Sequence, residues 1–151
     1  MADQFRFLVT CIKVNAELEN IADYGVNIAK RAQWLAQGPA PEVPFELEKM
    51  SDAALEMLKT SIDALVKSDS ELAKTVRPRD ELVDSIYRQA IVTVVQQAAA
   101  RPAEIDRFIR YLAVAQNVER IADVATSIAE NVIYMIEGRI ARHVGARSQH
   151  R

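Results

Sequence analysis

From Phe108 to Gly138 the chain runs for about thirty residues with no proline and no glycine before its last position. Such a run admits one long helix and little else. In its middle Glu119 and Asp123 stand four apart inside an otherwise apolar helical pattern. The same core occurs a hundred residues earlier as Glu19-Asn20-Ile21-Ala22-Asp23. Laying Phe7–Trp34 over Arg107–Tyr134 matches Val14/Val114, Glu19/Glu119, Ile21/Ile121, Ala22/Ala122, Asp23/Asp123, Ile28/Ile128 and Ala29/Ala129. The identities cluster as E-x-I-A-D-x4-I-A, which reads as an internal duplication of a helix that keeps its carboxylates.

The rest of the chain is punctuated by proline and glycine. A helix is predicted from Phe5 to about Gln37, with Asp3 as its cap, Gly38 as its end and more than one apolar face. Pro39, Pro41 and Pro44 then make a stiff connector, because proline lacks the amide that continues a helix. A second helix follows from about Phe45 to Lys67. Its stripe is Leu47, Met50, Ala54, Met57, Leu58, Ser61 and Leu65. Ser68-Asp69-Ser70 supplies a stop and a new cap. The third segment reaches about Ala100, with a kink or restart at Pro78 and its firmer part beginning at Arg79. Pro102 opens the long helix, and Gly138 closes it. The expectation is an all-α chain of four helices and no strand. Residues 45–138 form an antiparallel three-helix bundle, and helix 1–37 lies outside it across linker 38–44. Residues 139–151 form a tail with four arginines, two histidines and no acid, either solvated or docked on an anionic partner.

The carboxylates fall on unexpected faces. At about 100° per residue, Glu119 and Asp123 share a line with Phe108, Leu112, Ala115, Thr126 and Ile133. Asp80 and Asp84 share one with Tyr87, Ile91, Val94 and Ala98. Two acid pairs on neighbouring helices are therefore expected to look inward, where unpaired carboxylates are costly. Two readings satisfy them. Four oxygen donors suit a hard or borderline divalent or trivalent cation. Alternatively Arg79, Arg88 and Arg120 neutralise them, or the acids sit at a wet end of the bundle.

Composition narrows the function. A net charge of −2 gives no global bias toward nucleic acid. No apolar run approaches the roughly 20 residues that span a bilayer. No secretory leader is visible, and the single cysteine, Cys11, suits a reducing cytoplasm and is expected in the core. There is no Glu-x-x-His, and His143 and His150 both lie in the tail, so a ferritin-like di-iron site is unsupported. No phosphate loop, Ser/His/Asp set or Cys/His pair appears, so no enzyme is expected. Trp34, Tyr111 and Tyr134 are expected as core or interface aromatics.

Val118-Glu119-Arg120-Ile121-Ala122-Asp123 and Ser127-Ile128-Ala129-Glu130, with the earlier Glu17–Asp23 and Val26–Lys30, resemble the PhoU family of phosphate-transport accessory regulators. Met50, Ala54, Met57, Leu58, Asp69, Leu72, Ala73, Val76, Asp80 and Asp84 match the helices ahead of the motif. The resemblance implies two tandem three-helix bundles. Here that means a complete second repeat, preceded by the last helix of a first one. It also implies multinuclear metal (iron, zinc, manganese or magnesium) held by Asp80/Asp84, Glu119/Asp123 and Glu19/Asp23. The implied role is to repress phosphate uptake and phosphate-starvation signalling through a transporter ATPase subunit and a phosphate-sensing histidine kinase. The family's Gly before the Asp is Ala22 and Ala122 here, and its following His is Tyr24 and Val124. The uncovered face of helix 5–37 leads to the expectation of a homodimer. The other readings are a helical scaffold without regulation, or a carboxylate-bridged metal-binding bundle.

Overall fold

The computed structural model describes residues 2–38 and 43–138, and it is helical with no strand among them. Helix α1 spans Ala2–Leu35, α2 Leu47–Lys67, α3 Ser70–Lys74, α4 Arg77–Ala100 and α5 Ile105–Glu137. Residues 39–42, with Pro39 and Pro41, and the basic tail 139–151 lie outside the described residues.

The junctions follow from local chemistry. Ser68 ends α2 in the left-handed region at φ 51°, and the amide of Asp69 then bonds to the carbonyl of Ala64 at 2.9 Å. The Asp69 carboxylate caps α3 by accepting from the Leu72 amide at 2.9 Å. Pro78 restarts the helix rather than kinking it. It falls in the first turn of α4, where its missing amide has no partner to lose. Pro102–Glu104 forms a single 3-10 turn into α5. Gly138, at φ 67°, ends α5 with its amide on the carbonyl of Tyr134. A side chain at that φ would be strained, so glycine is the natural residue there.

Two expectations at the start of α1 need correction. Asp3 does not cap the helix. It lies inside the first turn and pairs with Arg6. Cys11 is exposed, because it lies away from the face that α1 turns to α5.

Helix α5 is the axis of the molecule, with α2, α3 and α4 against one side and α1 against the other. Met50, Met57, Val76, Val83, Phe108, Ile128 and Val132 have no exposed surface. Along α5 the small residues Ala115, Ala122, Ala125 and Ala129 are buried and let neighbouring backbones approach closely. A second cluster, Val14 with Val124 and Ile128, joins α1 to α5, with Ile21 and Tyr24 at its edge.

The α1–α5 contact is antiparallel and nearly reciprocal. Arg6 Nε donates to the carbonyl of Met135 at 3.3 Å, and Arg107 Nη2 donates to that of Leu35 at 3.4 Å. The Arg6 guanidinium lies beside Gly138, and that of Arg107 beside Gly38. On α1 the inner stripe is Thr10, Val14, Ile21 and Ile28. The same repeat positions on α5 include Val114, Ile121 and Ile128, which are buried.

Candidate carboxylate cluster

Helices α4 and α5 run antiparallel, and an ion pair between Arg77 and Glu130 at 4.0 Å sets their register. Counting back from that pair puts Asp84 near the level of Asp123, and Asp80 near that of Thr126 and Ser127. The four acids predicted from the sequence to converge, Asp80, Asp84, Glu119 and Asp123, lie within electrostatic range of one another.

Their protonation reports the crowding. Burial raises Asp80 to about 6, helped by the charges of Asp84, Asp123 and Glu81 and opposed by Arg77. Burial raises Glu119 to about 7, with Asp123, Asp84 and Asp80 adding to it and Arg120 opposing. Burial and Asp84 also raise Asp123, while a hydrogen bond with Glu119 works the other way. A carboxyl held near neutrality beside a still-ionised neighbour is the natural donor of that bond.

The acids face the α4–α5 contact, as the apolar lines predict, but they are not sealed inside it. Asp123 is an exposed residue, and Asp80, Asp84 and Glu119 are half-buried. The cluster sits on the rim between α4 and α5. That position removes enough water to raise pKa values without sealing the site.

The arginines named from the sequence do not neutralise it by contact. Arg79 pairs with Glu56 at 2.6 Å, Arg88 with Glu81 at 2.6 Å, and Arg120 lies over the Tyr24 ring at 5.8 Å. Asp80 Oδ1 and Thr126 Oγ1 are both buried and without a hydrogen-bond partner. These orphaned oxygens fit a cation, since all the donors are hard. In the side-chain positions of this structure, no three His, Cys, Asp or Glu side chains among the described residues converge on one ion position.

Glu19 and Asp23, the duplicate pair, do not join the cluster. Both are exposed on α1, on the side away from α5. The residue of α1 that reaches α5 is Glu17, whose Oε1 accepts from Ser127 Oγ at 2.8 Å. Glu17, Tyr24, Arg120, Asp123, Val124 and Ser127 line a groove of about 220 Å³ beside the cluster. Asp123 therefore belongs to both the groove and the cluster. Glu17 was readable in principle, because its spacing places it on the inner stripe with Thr10, Val14, Tyr24 and Ile28. Thr126 lay on the acid line but gave no signal beyond its position.

A bundle built on one axial helix, with i, i+4 acid pairs facing each other across antiparallel helices, defines a class of carboxylate-bearing helical bundles. Residues 47–132 match the family model described as PhoU domain. The chain is 31% identical over 147 residues to a phosphate-specific transport system accessory protein PhoU homolog of Pseudomonas putida, covering 97% of this chain and 57% of that protein. It is 34% identical over 139 residues to the homolog of the same name from Rhizobium meliloti strain 1021, covering 91% and 59%. The crystal structure of PhoU from Pseudomonas aeruginosa superposes with a TM-score of 0.87 at 30% identity, over 92% of this chain and 67% of that one. The chain belongs to the PhoU family. It spans about three fifths of the length of the curated relatives it matches.

Proposed function

We propose that the protein is a non-enzymatic accessory regulator of phosphate homeostasis. It restrains phosphate uptake and phosphate-starvation signalling by contacting the ATPase subunit of a phosphate transporter and a phosphate-sensing histidine kinase. The observation that carries this reading is the family match together with relatives named as accessory proteins of a phosphate-specific transport system. The setting is the cytoplasm, acting on membrane proteins from outside the bilayer. Consistent with that, no helix among the described residues is long and apolar enough to cross a membrane. The working form is a homodimer that does not act on nucleic acid.

Asp80, Asp84, Glu119 and Asp123 would hold the metal, with Asp80 Oδ1 and Thr126 Oγ1 as the oxygens that lack partners. A bound cation would supply the positive charge that no arginine brings into contact with these four acids. Glu19 and Asp23 stand apart, as a third acid pair outside the cluster. A plain helical scaffold of the same fold is the second reading. It is favoured by the absence of three converging acidic side chains among the described residues.

Complementation tests the regulatory reading. The 151-residue chain is expressed in bacteria lacking their own PhoU, and alkaline phosphatase is assayed in high phosphate. Restored repression is expected. Continued derepression, with the chain shown to be present and folded, would leave the scaffold reading. Metal content after purification separates the metal part, which fails if none is bound and Asp84→Asn and Asp123→Asn change nothing.

A further inference from the structure

The acid cluster fills only one half of the seam between α4 and α5. On α4, Ile91, Val95 and Ala98 lie within about 40° of the line through Asp84. On α5, Gln116, Leu112, Ile109 and Ile105 lie within about 40° of the line through Asp123. The antiparallel register brings Ile91 and Val95 to the same end of the seam as Ile105 and Ile109. That end is apolar and open: Ile91 is 39% exposed, Val95 63%, Ile105 45% and Ile109 54%. Arg88, the one charged residue beside it on α4, is paired with Glu81 at 2.6 Å. A single groove is therefore apolar over one half of its length and acidic over the other.

The groove belongs to α4 and α5 alone, both within the region that matches the PhoU domain. At its apolar end α1 meets α5 through Arg107 and Leu35. Ile105 and Ile109 lie about 160° round α5 from Arg107, so α1 and anything packed beyond it approach from the other side. The charge pattern then selects the occupant. Four ionised acids around one divalent cation still carry two negative charges, and Arg79, Arg88 and Arg120 are all engaged elsewhere. An anionic membrane surface or a nucleic acid is repelled from such a groove. A segment with an apolar stretch followed by lysines or arginines complements both halves at once. Ile105 to Asp123 spans about 27 Å, the length of a helix of about five turns.

We infer that this groove docks a helix of a partner protein, whose apolar stretch seats on Ile91, Val95, Ile105 and Ile109 and whose basic stretch meets Asp84 and Asp123. This rests on the partner-contact reading above and names the surface and the chemistry of what it takes. Helix-in-groove docking of this kind draws its affinity from the apolar anchors, while the charges fix the direction in which the helix lies.

The test titrates the full 151-residue chain against a labelled synthetic helix of about 18 residues, with leucines along one face of its first half and lysines in its second. Fluorescence anisotropy is expected to show saturable binding. Val95→Gln with Ile109→Gln should weaken it roughly tenfold or more while helical circular dichroism is retained. Asp84→Asn with Asp123→Asn should weaken it too and flatten its salt dependence. Val66→Gln, on an exposed site of α2, should leave it unchanged. No binding would overturn the inference. So would binding untouched by Val95→Gln with Ile109→Gln, or a dimer that this pair dissolves, which would make a second copy the occupant. In the complementation assay the same pair should abolish repression. Repression by wild type that survives the pair would overturn the surface alone. Failure of wild type to repress would overturn the regulatory reading and leave the peptide result standing.

Discussion

Arg107 donates to the main-chain carbonyl of Leu35 over 3.4 Å and so ties the first turn of α5 to the last turn of α1. The end carbonyls of a helix have no partner within it and carry the negative end of its dipole, so a cation there stabilises twice over. Arg6 does the same for Met135 at the other end of the pair. Replacing either arginine by Met, which keeps most of the stem, is expected to cost about 1 kcal/mol. The two losses should add, because the sites lie at opposite ends of α1. Urea unfolding of the two single mutants and the double mutant checks this.

Ser68 is the one non-glycine residue with positive φ among the described residues. It is exposed. Ser68→Gly removes the left-handed strain and gives back part of that gain through a freer unfolded chain. A net stabilisation of roughly 0.5 kcal/mol is expected, read as an increase in the urea midpoint with an unchanged slope.

The acid cluster makes stability depend on pH in the unusual direction. Asp80 at about 6 and Glu119 at about 7 hold protons more tightly when folded than unfolded carboxylates do. Between roughly pH 4 and 7 the folded state therefore binds more protons, and stability falls as pH rises through that window. Metal-free protein should melt at a higher temperature at pH 5.5 than at pH 8. The double change Asp80→Asn with Glu119→Gln should flatten the profile and raise the melting temperature at pH 8. A profile that climbs with pH would show that the cluster's repulsion is already relieved.

Cation binding predicts the opposite effect for the loss of acids from the same cluster. If Asp80, Asp84, Glu119 and Asp123 take up a metal, excess cation at about a hundredfold over Kd stabilises wild type by roughly 2.7 kcal/mol. Asp84→Asn and Asp123→Asn should lose most of that gain while folding normally without metal. Differential scanning calorimetry with and without added manganese or magnesium makes the comparison.

Much of this was legible in the sequence because the residues involved act locally. Gly138, Pro78, Pro102 and the Ser68-Asp69 pair determine helix ends through their own backbones, and each did so within a few residues of the predicted position. The pairing of α4 with α5 followed from two acid pairs on two apolar lines. What the sequence left out depends on packing angle. Helical spacing places Asp123 among core residues but does not say that the rim passes through it. Cys11 and Glu17 both occur in α1, and only the direction from which α5 approaches exposes the first and engages the second. Arg79, Arg88 and Arg120 lie near the acids along the chain, yet Glu56, Glu81 and the Tyr24 ring are their partners, a choice made by tertiary neighbours.

The crowding around α5 has a consequence for how the molecule presents itself. With helices on both sides, the fully exposed residues in the middle of α5 are Gln116, Arg120 and Asp123, spaced four and three apart on one narrow strip. Two of the three are charged, and one of them is a member of the acid cluster. Any gain or loss of charge inside the cluster is therefore written directly onto the strip that this part of the axial helix turns most fully outward.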